Sequence, residues 1–458
     1  MKETWTKFRD TLRDFRVARG GNVAITFALA SIPVLGFIGA GYDYSHANSV
    51  KADLQAALDS TALMVAKNAA TISSGDLQTE AHNYFVALYN RPETTIDAVS
   101  ASYTTSGGSQ VVVNGSVDVP TTFLRVLGPS AMRTITVTGS STTKWGTTRL
   151  RVALVLDNTG SMADAGKITA LKSATHSLLT QLQAAATQNG DVYVSIIPFS
   201  KDVNVGSANY NGNWIDWDDW ENANGSWQNT TSCTSKSKRG KSRCNTTQTW
   251  VPADHSTWNG CITDRDQDYD QLVTAPNPAD ANLPNGQAST LFPAEQYGNC
   301  PLQMMGLSYD WTTMSSLVDQ MYPNGNTNQP IGLVWGWQSL VGGGPLSAPA
   351  MDSNYKYQQV IILLSDGLNT QDRWYTDQSK IDDRMFHIGN GNGTCANIKA
   401  ANVTIYAIQV NTGGDPLSTL MQNCASSSDK FWMLTSADQI MTVFNTIGTN
   451  LTKLRVAR

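Results

Sequence analysis

From Gly20 through Tyr42 the chain carries no charged side chain, and this stretch limits the fold and the compartment more than any other. Centred on Val23–Ala40, it is long enough to cross a hydrocarbon core of about 30 Å as one helix. Ahead of it, residues 1–20 hold Lys2, Lys7, Arg9, Arg13, Arg16 and Arg19 against Glu3, Asp10 and Asp14. Basic residues before a span keep the N-terminus in the cytoplasm and send the chain beyond Asp43 across the membrane. A cleaved signal peptide is the competing reading. Ala28-Leu29-Ala30 resembles a cleavage box, but only about five apolar residues precede it, short of the roughly 7–15 such a leader needs. Gly39-Ala40-Gly41 is a weaker box still. An uncleaved single-pass anchor is the expectation.

The cysteines agree with export. All six (Cys233, Cys244, Cys261, Cys300, Cys395 and Cys424) lie C-terminal to the span. An even number in an oxidising compartment favours disulfides, and no Cys-x-x-Cys pair or paired histidine speaks for zinc. Proximity suggests Cys233 with Cys244 and Cys395 with Cys424. A net charge of −5 gives no reason to expect a nucleic-acid partner.

Beyond the anchor the pattern changes twice. Val50, Leu54, Ala57, Leu58, Ala62 and Val65 recur at helical steps within Ser45–Ala70, and Asp76–Tyr89 continues in that style. From Ile96 to Thr143 come alternating Val-, Thr- and Ser-rich runs such as Gln110–Val119 and Arg133–Ser140, the signature of a small antiparallel sheet. Thr142–Thr148 is polar and serves as a boundary. From Leu150 strands and helices alternate: Arg151–Leu156, helix Lys167–Leu182, Val192–Phe199, Gln359–Leu364, Val403–Val410 and helix Ala437–Leu454. That rhythm predicts an α/β fold, a doubly wound and mostly parallel sheet covered on both faces. Between Ser200 and Asp310 the rhythm fails. Six tryptophans from Trp214 to Trp258 and four of the six cysteines fall there. A disulfide-braced insertion at about residues 201–310 accounts for them, its tryptophans filling a small irregular core or forming a contact surface.

Two of the strands end on aspartate. Arg151–Leu156 runs into Asp157-Asn-Thr159-Gly-Ser161, and Gln359–Leu364 into Ser365-Asp366-Gly367. In parallel sheets, ligands bind at the carboxyl ends of strands. Oxygen donors there suit a hard divalent cation, Mg²⁺ first, with Mn²⁺ or Ca²⁺ as alternatives. The first loop resembles the Asp-x-Ser-x-Ser opening of the metal-ion-dependent adhesion site (MIDAS) of von Willebrand factor A domains, with Thr159 in place of the middle serine. The resemblance implies a set of Asp157, Thr159, Ser161, Thr327 and Asp366. Thr327 comes from Gly325-Asn-Thr-Asn328, with Thr312 and Thr313 as nearby alternatives. Ser161 and Thr327 would bind directly, the aspartates directly or through water, and Thr159 would bind or orient a ligand. One position would stay open for a partner's carboxylate. The plainer reading is that both aspartates only cap helices that come after their strands.

Other chemistry has weaker support. Asp264, Asp266, Asp268 and Asp270 alternate like the start of a calcium loop, but Tyr269 and Ala275 stand where glycine and glutamate belong. An exposed acidic turn is the alternative. Asp157 as a phosphorylated nucleophile lacks the lysine and further acids at matching places. No Gly-x-Ser-x-Gly is present for a Ser/His hydrolase.

Gly20-Gly-Asn-Val-Ala-Ile-Thr-Phe-Ala-Leu-Ala30, Gly41-Tyr-Asp43 and the helix through Ala70 resemble the TadE/TadG-like segment of bacterial Flp/Tad pilus-assembly proteins. TadG-like members join it to a C-terminal A domain. Gly260-Cys-Ile-Thr-Asp-Arg-Asp-Gln and Gly332-Leu-Val-Trp-Gly-Trp are similar to their middle stretches. Prepilin substrates carry glutamate at the fifth position after the processing glycine. Counted from Gly21 that position is Thr26, so permanent anchoring is expected. The resemblance implies a basic cytoplasmic segment over 1–20, a transmembrane helix over 21–42, a pilin-like helix-and-sheet region over 43–148, and a von Willebrand A-type domain over 149–458. It further implies a non-enzymatic protein of the bacterial inner membrane, its C-terminal domain periplasmic or surface-exposed. The partners it implies are pilins, pilus-assembly proteins or a surface protein bearing an acidic residue. A released surface adhesin, and a phosphotransferase or hydrolase using Asp157, are the alternatives.

Overall fold

In the computed structural model the charge-free stretch is helical from Asn22 onward and runs without a break into the next helical segment. The structure describes residues 22–105, 108–126, 133–146, 148–234, 243–284, 287–342, 345–387 and 392–456, so the basic segment 1–20 lies outside the described residues. The chain divides into two compact units, one within Met1–Trp145 and one within Gly146–Ala457.

In the first unit, helix α1 (Asn22–Ala66) runs for 45 residues. It is the one helix among the described residues long and apolar enough to cross a membrane. Phe27, Leu35, Phe37 and Ile38 lie exposed on it, as lipid-facing side chains do. The two helices expected on either side of Tyr42 are one, running straight through Gly39 and Gly41. Ser73 caps α2 (Ser74–Leu88) by accepting from the Asp76 amide, 3.2 Å away. Strands β1 (Thr95–Thr104), β2 (Ser109–Pro120) and β3 (Thr134–Trp145) form an antiparallel sheet in that order. Val50, Leu54, Leu58 and Val65 of α1 pack on Val111, Val113 and Val117. The helix sits close because the sheet presents Gly115 and Gly139, where an added Cβ would stand 2.9 and 2.8 Å from Leu58. The polar Thr142–Thr148 stretch is strand for most of its length, since threonine suits a half-buried pleat.

The second unit is the expected doubly wound α/β sheet. Its elements are β4 (Thr148–Asp157), α3 (Lys167–Ala185), β5 (Val192–Phe199), β6 (Val203–Asn204), β7 (Ile215–Asp216), α4 (Asp218–Ala223), β8 (Gly225–Thr234), β9 (Arg243–Pro252), β10 (Cys261–Ile262), β11 (Phe292–Glu295), β12 (Met305–Ser308), α5 (Trp311–Gln320), α6 (Gln329–Val341), β13 (Lys356–Ser365), α7 (Gln378–Met385), α8 (Thr394–Ala400), β14 (Thr404–Val410), α9 (Thr419–Cys424), β15 (Phe431–Leu434) and α10 (Gln439–Val456). The order β15-β14-β13-β4-β5 is parallel throughout, with Leu154 level with Ile362 on one side and Ile196 on the other. Both faces of β4 are buried. Leu150, Val152, Leu154 and Leu156 face α3 and α10 through Leu171, Leu178 and Phe444; Ala153 and Val155 face α6 through Leu333 and Leu340. From β4 the chain steps to β5 on one side, whereas from β13 it steps to β14 on the other, so β4 and β13 flank the topological switch point.

The insertion extends this sheet. Beyond β5 it adds β6, β10, β11 and β7 in that order, while β8 and β9 pair only as a hairpin. Trp220 and Trp258 are fully buried, and Trp217 stacks on His255 at 3.8 Å between ring centres. Of the six tryptophans, Trp227 alone is well exposed, so most of them fill the core extension. Disulfides join Cys233 to Cys244 and Cys395 to Cys424, as expected, and Cys261 to Cys300.

Candidate metal centre

Asp157 ends β4 and Asp366 comes directly after β13, so parallel pairing brings two carboxylates to the same end of neighbouring strands. Asp157 is completely buried. Its Oδ1 accepts from the Thr159 amide at 2.8 Å and its Oδ2 from the Ser365 hydroxyl at 2.5 Å. Burial raises its pKa first and the Asp366 charge raises it further, against those two hydrogen bonds. A carboxylate so placed is stabilised by a cation.

Ser161 bridges the two strand ends. Its hydroxyl donates to Asp366 Oδ1 at 2.7 Å and lies 3.1 Å from Thr159 Oγ1. Asp366 receives Ser161 and the Lys167 ammonium, at 2.5 Å, and no backbone amide, so it caps no helix among the described residues. Thr327 occupies the loop before α6, stitched to both strand-end loops. Gly160 N donates to Gly325 O at 3.0 Å, Asn324 N to Asn158 O at 2.8 Å, and Thr370 N to Thr327 O at 2.9 Å. The Thr327 hydroxyl makes no hydrogen bond among the described residues, though the residue is 4% exposed.

Four of the five expected residues thus form one hydrogen-bonded group (Asp157, Thr159, Ser161 and Asp366), and Thr327 is held beside it through its backbone. All donors are hard oxygens. Among the described residues no three His, Cys, Asp or Glu side chains form a metal cluster, so a cation here would rest on two carboxylates, hydroxyls and water. Those residues fit Mg²⁺ or Mn²⁺. Two features carry no signal in the sequence: Ser365, which orients Asp157, and Lys167, the first residue of α3. Two carboxylates balance a divalent ion, and it is Lys167 that would leave the loaded site with a net positive charge favouring an acidic partner.

The acidic run in the insertion is neither a calcium loop nor an exposed turn. Arg373 Nη1 binds Asp266 Oδ1 at 2.9 Å, while Arg384 binds Asp270 at 2.5 Å and Asp268 at 3.0 Å. Asp264 is buried, and burial, with Asp372 and Asp270 nearby, raises its pKa to about 7.

Residues 21–68 match the model of the TadE/G-like family of Flp pilus-assembly proteins. This chain carries a TadE/G-like pilus-assembly domain at its N-terminus. No curated protein sequence matches the chain. Among solved structures, the von Willebrand factor domain of the type V pili tip protein Mfa5 from Porphyromonas gingivalis is 10% identical, over 68% of this chain and 97% of that one, with a TM-score of 0.36. The pilus adhesin SpaC from Lactobacillus rhamnosus GG is 15% identical over 80% of this chain at a TM-score of 0.35, and the match spans 35% of SpaC. Proximal thread matrix protein 1 from the mussel byssus, with a zinc-occupied MIDAS motif, is 13% identical over 67% of this chain and 46% of that one, at a TM-score of 0.32. The larger unit is a mixed α/β fold, its mostly parallel sheet covered by helices on both faces.

Proposed function

We propose that this pilus-related protein is an inner-membrane component of Flp/Tad pilus assembly that grips protein partners through a cation at Asp157, Thr159, Ser161, Thr327 and Asp366. Residues 1–20 face the cytoplasm, 21–42 cross the bilayer, and 43–148 form a pilin-like region. The A-type unit, 149–458, stands in the periplasm or at the surface. The observation that carries the reading is the Ser161 hydroxyl, from the loop that follows Asp157, donating to Asp366 at the switch point of the sheet. When bound, the ion supplies a Lewis-acidic position for a carboxylate of a pilin, an assembly protein or another envelope protein. Ser161 and Asp366 hold it, Ser365 and Thr159 orient Asp157, and the backbone stitching of Gly325 and Thr370 holds the Thr327 hydroxyl in place.

The role is binding rather than turnover. Asp157 is fully buried, with both oxygens accepting hydrogen bonds, which leaves it a poor nucleophile toward a phosphate or ester. Calorimetry of the full chain in nanodiscs tests the proposal. Mg²⁺ and Mn²⁺ bind the wild type, and a Ser161→Ala/Asp366→Ala double variant loses that binding. No heat from the wild type, or equal heat from the variant, overturns it.

A further inference from the structure

We infer that Asp264 of the insertion is the positioning residue of this centre, clamping together the loop that carries Thr327 and the loop that leads away from Asp366. The inference rests on the proposed metal site. Asn328, the neighbour of Thr327, is completely buried, and its Nδ2 donates to Asp264 Oδ2 at 2.8 Å and to Lys201 O at 3.1 Å. The same Oδ2 accepts from the Arg373 amide at 3.3 Å, and Arg373 Nη1 returns to the Asp264 carbonyl at 3.0 Å. One carboxylate oxygen therefore ties both loops. On the other side Thr370 binds Thr327 twice, through its hydroxyl at 2.8 Å and its amide at 2.9 Å. The Thr327 backbone is thus held between β13's outgoing loop and the insertion. Asn328 also caps α6 by accepting from the Ile331 amide at 3.4 Å, so the angle at which that helix begins depends on the same side chain. The insertion is in this way a part of the site rather than an appendage to it. Groups that orient the loops around a metal typically change its affinity about 10- to 100-fold when removed.

The test uses the full chain in nanodiscs, Mn²⁺ calorimetry, and amide hydrogen exchange at residues 327–329. Asp264→Ala weakens Mn²⁺ binding about 10-fold or more and speeds exchange there. Asp264→Asn keeps an oxygen for both Asn328 and Arg373, and restores both readouts. Asn328→Ser keeps a helix cap but does not reach Asp264, and reproduces the loss if Asp264→Ala does not fold. Unchanged Mn²⁺ affinity and exchange in folded Asp264→Ala, or an Asp264→Asn variant as impaired as the alanine, overturns the inference. If the wild type itself takes no Mn²⁺, the metal reading falls, and exchange at residues 327–329 alone decides whether Asp264 clamps the loop.

Discussion

Ser161 donates to Asp366 across 205 positions of sequence, at 2.7 Å, and so closes the ends of two parallel strands into one oxygen-lined group. Beside it Lys167 supplies the positive charge that Asp366 faces.

Lys167 competes with any cation for Asp366. Two positive charges about 4 Å apart repel by about 4 kcal/mol at an effective dielectric constant near 20. Lys167→Met is expected to tighten Mn²⁺ binding by at least about 10-fold, measured by calorimetry. Weaker binding in that variant would mean that the lysine holds Asp366 in place for the ion instead.

Asp264, with its pKa raised to about 7, makes stability depend on pH. The unfolded carboxyl has a pKa of about 3.9, so between the two values the folded chain binds more protons than the unfolded one. Its contribution is complete below about pH 4 and is lost as pH rises to about 7. Buried Asp157 and Asp202 shift in the same direction. In chelator, the larger unit is expected to melt at a lower temperature at pH 8 than at pH 5, with a smaller difference in Asp264→Asn. A melting temperature that rises across that interval would contradict the assignment.

Helix α6 lies against β4 through glycine. A Cβ on Gly336 would overlap Val155 Cγ2, and one on Gly332 would stand 2.6 Å from Phe199 Cγ. Gly336→Ala is expected to cost about 1–3 kcal/mol by overpacking, read as a shift in urea midpoint with unchanged slope.

Asp43 ties α1 to the turn after β2. Its carboxylate accepts from the amides of Thr122, Phe123 and Leu124 at 2.9, 2.9 and 2.8 Å. Asp43→Ala is expected to speed hydrogen exchange at those amides by about 10-fold or more, while amides in β4 and β13 exchange as before. Equal protection in the variant would show that the carboxylate does not hold the turn.

Where local chemistry decided structure, the sequence was readable. The β-branched runs ending at Asp157 and Asp366 had to be buried strands, and their aspartates had to emerge at one end of the sheet. Strands of two residues, such as β6, β7 and β10, have no periodicity to read, so the extension of the sheet by the insertion could not be seen. Nor could the long-range partners. Lys167 reads as an ordinary helix-starting residue, and Asp264 as part of a solvated acidic run, until Asp366 and Asn328 are placed against them. Arg373 and Arg384 lie more than 100 positions from the acids they bind, and spacing carries no trace of such pairs.

The most direct measurement is the anomalous difference density of Mn²⁺ in crystals of the full chain. The account predicts one strong peak bounded by Ser161, Thr327 and Asp366, absent from the Ser161→Ala/Asp366→Ala variant. A peak at the acidic run around Asp268, or none near Ser161 at saturating Mn²⁺, would contradict it.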